Sequence, residues 1–190
     1  IEKWATAEGA ERLVASVQEV DQEALAWVQR RGYQIAHHIF RSRLCLSGWS
    51  TAPFVPAVER VKASGVRFSD FAAEIAGEPS YERCYDFLGR LMDDMPGALG
   101  RTRAPYERWR SHFRTRPDMD PAGWILAIDG DRWVAISSIV KRADGGFFTG
   151  FTGVDQEYRG QGIALAIKVV ALEYARSIGA QEIFTSNHSV

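Results

Sequence analysis

Residues 158–164 read YRGQGIA. They stand between an apolar, threonine-rich run, FFTGFTGV (147–154), and a long amphipathic stretch from Gly162 to Ile178. A strand that enters a glycine loop and then a helix exposes backbone N–H groups at the helix N-terminus. Those amides and the helix dipole form an anion site. Gly160 and Gly162 let the backbone approach a phosphate closely, Ala164 keeps the first turn slim, and Arg159 adds charge to a phosphate oxygen. The physical reading is a pyrophosphate cradle, and its competitor is a tight turn with a small-residue helix start. A dinucleotide fingerprint fails, because Leu165 stands where glycine or alanine is needed and Glu182 is the wrong end of its strand for a ribose ligand. A Walker loop would need GK[ST], which is absent.

The pattern on either side is clear. WILAI (124–128) and RWVAISSIV (132–140) flank Asp129-Gly130 and predict a β-hairpin. FFTGFTGV is a third strand. The helix from Gly162 to Ile178 carries Ile163, Ile167, Val170, Ala171, Tyr174 and Ile178 on one face, with Gly179 as its cap, and EIFTSN (182–187) is a fourth strand. A strand–helix–strand crossover implies parallel pairing, hence a mixed α/β sheet. Upstream, Tyr81, Cys84, Tyr85, Leu88, Leu91 and Met92 recur at helical spacing; Ser80 is placed to cap that helix and Pro96-Gly97 to end it. A short helix is expected over Pro105–Phe113.

In the first third, RLVASVQEV (12–20) reads as a strand, and DQEALAWVQRR (21–31) as a helix between an Asp21 cap and Gly32. YQIAHHIFRSRLCL (33–46) reads as one long strand or two short ones. Residues 50–65, with two prolines, read as a linker with a short helix. Leu13–Val20 aligns with Ile183–Val190, either by chance, since the match is short, or because the fold is duplicated. His37 and His38 are expected to be structural, and Trp109, Trp124 and Trp133 to serve packing.

The 190 residues are 46% hydrophobic and 25% charged, enough for a sizeable core, and the formal net charge of −1 points to neither nucleic acid nor an anionic membrane. No apolar run is long enough to span a bilayer, and no secretory leader is visible. Cys45 and Cys84 lie outside any CxxC pattern, so neither a zinc site nor a disulfide framework is expected, and a cytoplasmic location is the default. A chain that starts at Ile1 is expected to be a processed protein or a fragment.

The signature and the element order resemble the GNAT acyltransferase superfamily. Its motif, [RQ]-x-x-G-x-[GA], follows the family's fourth strand and opens its third helix; Arg159, Gly162 and Ala164 match it in register. The resemblance covers roughly residues 66–190. It implies an α/β (α+β) fold: a mixed, mostly antiparallel twisted sheet flanked by helices. Residues 12–46 resemble the end of a preceding repeat. The expected organisation is therefore the C-terminal part of a first repeat (1–49), a linker (50–65) and a second domain through its fifth strand (66–190), as in a tandem protein cut at both ends. Residues 12–46 supply the kinds of element the second repeat lacks. They could complete its sheet beside Glu182–Asn187, within the chain or between the chains of a homodimer.

By this resemblance the co-substrate is acetyl-CoA, with no metal, and the reaction is direct acetyl transfer to the primary amine of a small molecule. Backbone N–H groups of Arg159, Gly160, Gln161, Gly162, Ile163 and Ala164 would hold the pyrophosphate. The edge at Thr152, Gly153 and Val154 would pair with the pantetheine arm, and an N–H near Val154 would polarise the thioester carbonyl. The fourth and fifth strands splay apart in the family, and the thioester sits between them. Asn187 would hydrogen-bond the cofactor, or else serves as a strand-ending turn residue. Asp93 and Asp94 are candidates for the base that takes the amine's proton; the alternative is a solvated helix end. The family's acid is usually a tyrosine on its fourth helix. That helix would lie beyond Val190 in the second repeat, and the equivalent position in the first is Val28. The alternative function is therefore a degenerate, non-catalytic acyl-CoA-binding or interaction module. The acceptor is not legible, because fold does not fix substrate.

Overall fold

The computed structural model describes residues 1–95, 103–116 and 118–188. Its helices are α1 (Glu2–Ala7), α2 (Gln22–Arg30), α3 (Val55–Ala63), α4 (Phe71–Glu74), α5 (Glu78–Asp93), α6 (Tyr106–Thr115) and α7 (Ile163–Ser177). Its strands are β1 (Ile39–Cys45), β2 (Val66–Asp70), β3 (Trp124–Asp129), β4 (Arg132–Lys141), β5 (Phe147–Val154) and β6 (Glu182–His188). The described residues divide into two compact units, residues 1–39 with His188, and residues 40–187.

In the first unit, Asp21 caps α2 by accepting from the Ala24 N–H at 2.9 Å, as its position predicts. Arg31 pairs with Glu2 at 2.9 Å, and His38 with Glu19 at 2.9 Å. Residues 12–20, expected to be a strand, form none. Val14 and Val20 are exposed, so among the described residues nothing covers these apolar side chains that suggested a strand.

The second unit is built on a sheet of order β1-β6-β5-β4-β3-β2. β2 to β5 pair antiparallel and β5 pairs parallel with β6 through the α7 crossover, so the sheet is mixed and mostly antiparallel, as expected. Gly130 takes the hairpin turn with φ 55°. Alternation along β3 separates two cores. Ile125 and Ala127 pack with α3 and α7, whereas Trp124, Leu126 and Ile128 pack with α5 and α6. Leu126, Ile128 and Ile136 are fully buried; each contributes on the order of 2 kcal/mol by leaving water.

Three further features depart from the sequence reading. β2 was not expected. Helix α5 starts at Glu78 behind Gly77, and Ser80 lies inside it rather than capping it; the Ser80 hydroxyl instead accepts from the Ala76 N–H at 2.8 Å and donates to the Glu74 carbonyl at 3.1 Å. Within the segment read as a linker, α3 buries Val58 and Val61 in the core shared with α7. Pro96 and Gly97 lie outside the described residues. β1 is the neighbour of β6 within the chain. The Leu46 N–H donates to the Gln181 carbonyl at 2.8 Å, Arg43 lies 3.7 Å from Glu182, and Asn187 donates to Ser42 at 3.4 Å, so the two strands run in opposite directions. No helix among the described residues is long and apolar enough to cross a membrane.

Candidate active site

The signature follows β5 through a turn that is tied on two sides. The Asp155 N–H donates to the Val134 carbonyl at 2.9 Å. Arg132, at the start of β4, donates to Asp155 at 3.0 Å and to Glu157 at 2.5 Å, and its guanidinium lies 5.2 Å from the centre of the Tyr158 ring. The Tyr158 hydroxyl donates to Asp129 at 2.8 Å, and that hydrogen bond raises the phenol's pKa above its ordinary value. The hairpin thus anchors the entry to the loop.

Arg159 turns back toward the end of α5. Its Nε donates to the Val154 carbonyl at 3.1 Å, and its guanidinium donates to Asp94 Oδ2 at 2.7 Å. Gln156 donates to Asp94 Oδ1 at 2.7 Å, so both Asp94 oxygens are engaged with the loop. Asp93 is exposed on the last turn of α5. Gln161 donates to the Glu157 carbonyl at 3.2 Å.

Gly160 and Gly162 have φ of 77° and 82°, the left-handed region that glycine enters without strain. A Cβ at either would meet nothing within 4 Å, so the requirement is conformational and the space beside the loop is open. Helix α7 has no side-chain cap; its first intrahelical bond runs from the Ala166 N–H to the Gly162 carbonyl at 3.1 Å. The amides of Ile163, Ala164 and Leu165 therefore have no intrahelical acceptor, the arrangement that favours an anion. A cavity of ≈ 120 Å³ lies here, lined by Val154, Tyr158, Arg159, Gly160, Gly162, Ile163 and Ala164.

Among the described residues, β5 and β6 pair at Phe147–Ile183 and Phe148–Phe184. Beyond them the strands part, and the β6-facing edge of Thr149–Val154 has no partner strand among the described residues. On the other edge, pairing with β4 continues to Val154, with one extra β5 residue between the Thr149 and Thr152 pairs. At this bulge the Phe151 N–H donates to the buried Ser138 hydroxyl at 2.9 Å. A Cβ on Gly150 would come within 2.9 Å of that hydroxyl, so glycine permits the approach. Bulges add local twist, which helps turn β5 away from β6. Thr152 shares a hydrogen bond with Ser137 at 3.0 Å, and Gly153 sits under Phe151 and Leu91.

The structure thus gathers Val154, Arg159, Gly160, Gly162, Ile163 and Ala164 around one cavity, with Thr152 and Gly153 on the adjoining edge; Gln161 is outside the lining and bonds the Glu157 carbonyl. Asn187 stands apart from that cavity's lining and is tied to β1. Ser138, Arg132 and Asp129 were missed in the sequence; the Ser137-Ser138 pair inside an otherwise apolar strand is the signal that could have exposed the first. Among the described residues, no group of three or more His, Cys, Asp or Glu side chains is placed to hold a metal ion.

Residues 85–189, more than half of the chain, match the family model described as the acetyltransferase (GNAT) family. No curated protein matches the sequence. Among solved structures, a GCN5-related N-acetyltransferase from Sphaerobacter thermophilus superposes with a TM-score of 0.65 at 21% identity, over 99% of this chain and 56% of that one. A GCN5-related glucosamine N-acetyltransferase region of a fungal multi-domain β-N-acetylglucosaminidase gives 0.64 at 14% identity, over 90% of this chain and 20% of that one. A GCN5-related N-acetyltransferase-like protein from Streptococcus suis gives 0.53 at 11% identity, over 88% and 59%. The chain spans little more than half the length of the first of these structures and a fifth of the second. At such identities the likeness concerns the fold.

Proposed function

The chain belongs to the GNAT acetyltransferase family, and we propose that it moves the acetyl group of acetyl-CoA to a primary amine of a small molecule. The observation that carries this reading is the pairing of an uncapped α7 N-terminus behind two left-handed glycines with the unpartnered edge of β5. In this reading the pyrophosphate rests on the amides of the Arg159–Ala164 loop, with Arg159 beside it. The pantetheine arm adds to the edge at Thr152, Gly153 and Val154 as a strand would. Asn187, fixed by Ser42, borders the parted strands and hydrogen-bonds the cofactor.

The amine nitrogen attacks the thioester carbonyl, a C–N bond forms, and the C–S bond breaks. The ammonium proton passes to a base and the departing thiolate takes up a proton. Holding both reactants together supplies several kcal/mol of the barrier, and an amide on the β5 edge stabilises the oxyanion. With both its oxygens engaged, Asp94 serves to position Arg159; Asp93 is the carboxylate we assign to the proton, directly or through water. Residues 1–49 are read as the end of a preceding repeat.

A second reading, a module that binds acyl-CoA without turning it over, is favoured by Val28 at the position where the family's tyrosine would fall in the first repeat. The test is release of free thiol from acetyl-CoA in the presence of a panel of small primary amines. Amine-dependent release supports transfer; binding without release supports the module.

A further inference from the structure

A second cavity, of ≈ 170 Å³, lies on the α7 side of the sheet, lined by residues of α7, β1, β4, β5 and β6. Thr149, Phe184 and Thr185 border it, and Phe148–Phe184 is the last β5–β6 pair, so the cavity sits where the strands part. Along the same face of β5, Val154 lines the signature cavity, Thr152 meets Ser137, and Thr149 lines the second cavity. The five steps from Thr149 to Val154 cover about 17 Å at about 3.3 Å each, a run comparable to an extended pantetheine arm.

From this alignment we infer that the second cavity receives the acyl tail of the donor, and that the preferred donor is a thioester of about four to six carbons, larger than acetyl. The inference rests on the reading of the signature as a CoA cradle and replaces acetyl, as the preferred group of its donor, by a longer acyl chain. The size follows from a known scale: an apolar cavity of about 150 Å³ holds a six-carbon ring. An acetyl group would leave most of the present volume empty. Leu44, Ile139, Ala171, Leu172, Ile183 and Phe184 form apolar walls suited to methylenes. Lys168 is exposed, so its stem can cover apolar surface while its charge stays in water. Arg43 faces Glu182, which leaves the cavity without an uncompensated demand for a carboxylate tail.

The test is a calorimetric titration of the whole chain with free CoA and with acetyl-, butyryl-, hexanoyl- and succinyl-CoA. Affinity should rise about tenfold from acetyl to hexanoyl as methylenes leave water. Ala171→Leu should abolish the rise while keeping the affinity for free CoA within about twofold. Free CoA also reports the fold of the variant; if Ala171→Leu loses it, Thr185→Leu, at a half-buried position on the cavity wall, decides by the same criterion. A flat series, tighter binding of succinyl- than butyryl-CoA, or an unchanged rise in the filled variant that retains CoA would overturn the inference and leave the cradle standing. Failure of free CoA and every thioester to bind the parent would overturn both.

Discussion

The Arg159 guanidinium donates to the Asp94 carboxylate at 2.7 Å across 65 residues of sequence, fastening the signature loop to the end of α5. Arg159 is half exposed and Asp94 less so, which keeps the pair's strength moderate. Asp94→Ala should lower the unfolding free energy by about 1 kcal/mol, measured in urea. It should also raise the Kd for acetyl-CoA by about threefold to tenfold, because Arg159 loses its orientation. An unchanged Kd with reduced turnover would instead make Asp94 the proton acceptor.

Ser138 is the hinge of the β5 bulge. Its buried hydroxyl receives the Phe151 N–H, and no other residue takes that role in the structure described. Ser138→Ala should leave that amide without its acceptor and cost about 2 kcal/mol in denaturant unfolding. A loss no larger than that of a surface substitution would show that the bulge holds without it.

The cysteines should separate by reactivity and by pH. Cys84 is fully buried, and burial pushes its thiol up to about 12 from an ordinary 9.0. Cys45 is exposed, and hydrogen bonding to Ser47 lowers its pKa. A thiol reagent at mildly alkaline pH should label Cys45 promptly and Cys84 only on unfolding. The folded Cys84 pKa is raised, so its contribution to stability is present below pH 9.0 and declines as pH rises toward about 12. Prompt labelling of both thiols in the native chain would contradict the burial of Cys84.

Much of this architecture was legible because local chemistry and global fold agree. Asp129-Gly130 between two β-rich runs, FFTGFTGV, and the Gly162–Ile178 periodicity each specify one element, and their order specifies the parallel crossover. Residues 12–20 misled because alternation alone cannot show whether a partner strand exists. β2 was missed because VRFSD is short and acquires its identity from pairing with β3. At the site, the glycines were legible through the left-handed backbone they permit. The Arg159–Asp94 pair and the clamp of Arg132 on Asp155 and Glu157 were not, since they join residues distant in sequence whose meeting only the fold decides.

The most direct measurement is a calorimetric titration of the chain with acetyl-CoA, alongside Gly162→Val. Valine is strongly disfavoured at a φ of 82°, so the substitution should deform the loop that aims the α7 amides while leaving the rest of the sheet folded. Micromolar binding by the parent, weakened at least about 30-fold in the folded variant, is the expected result. No binding by the parent, or equal binding by the variant, would contradict the cradle.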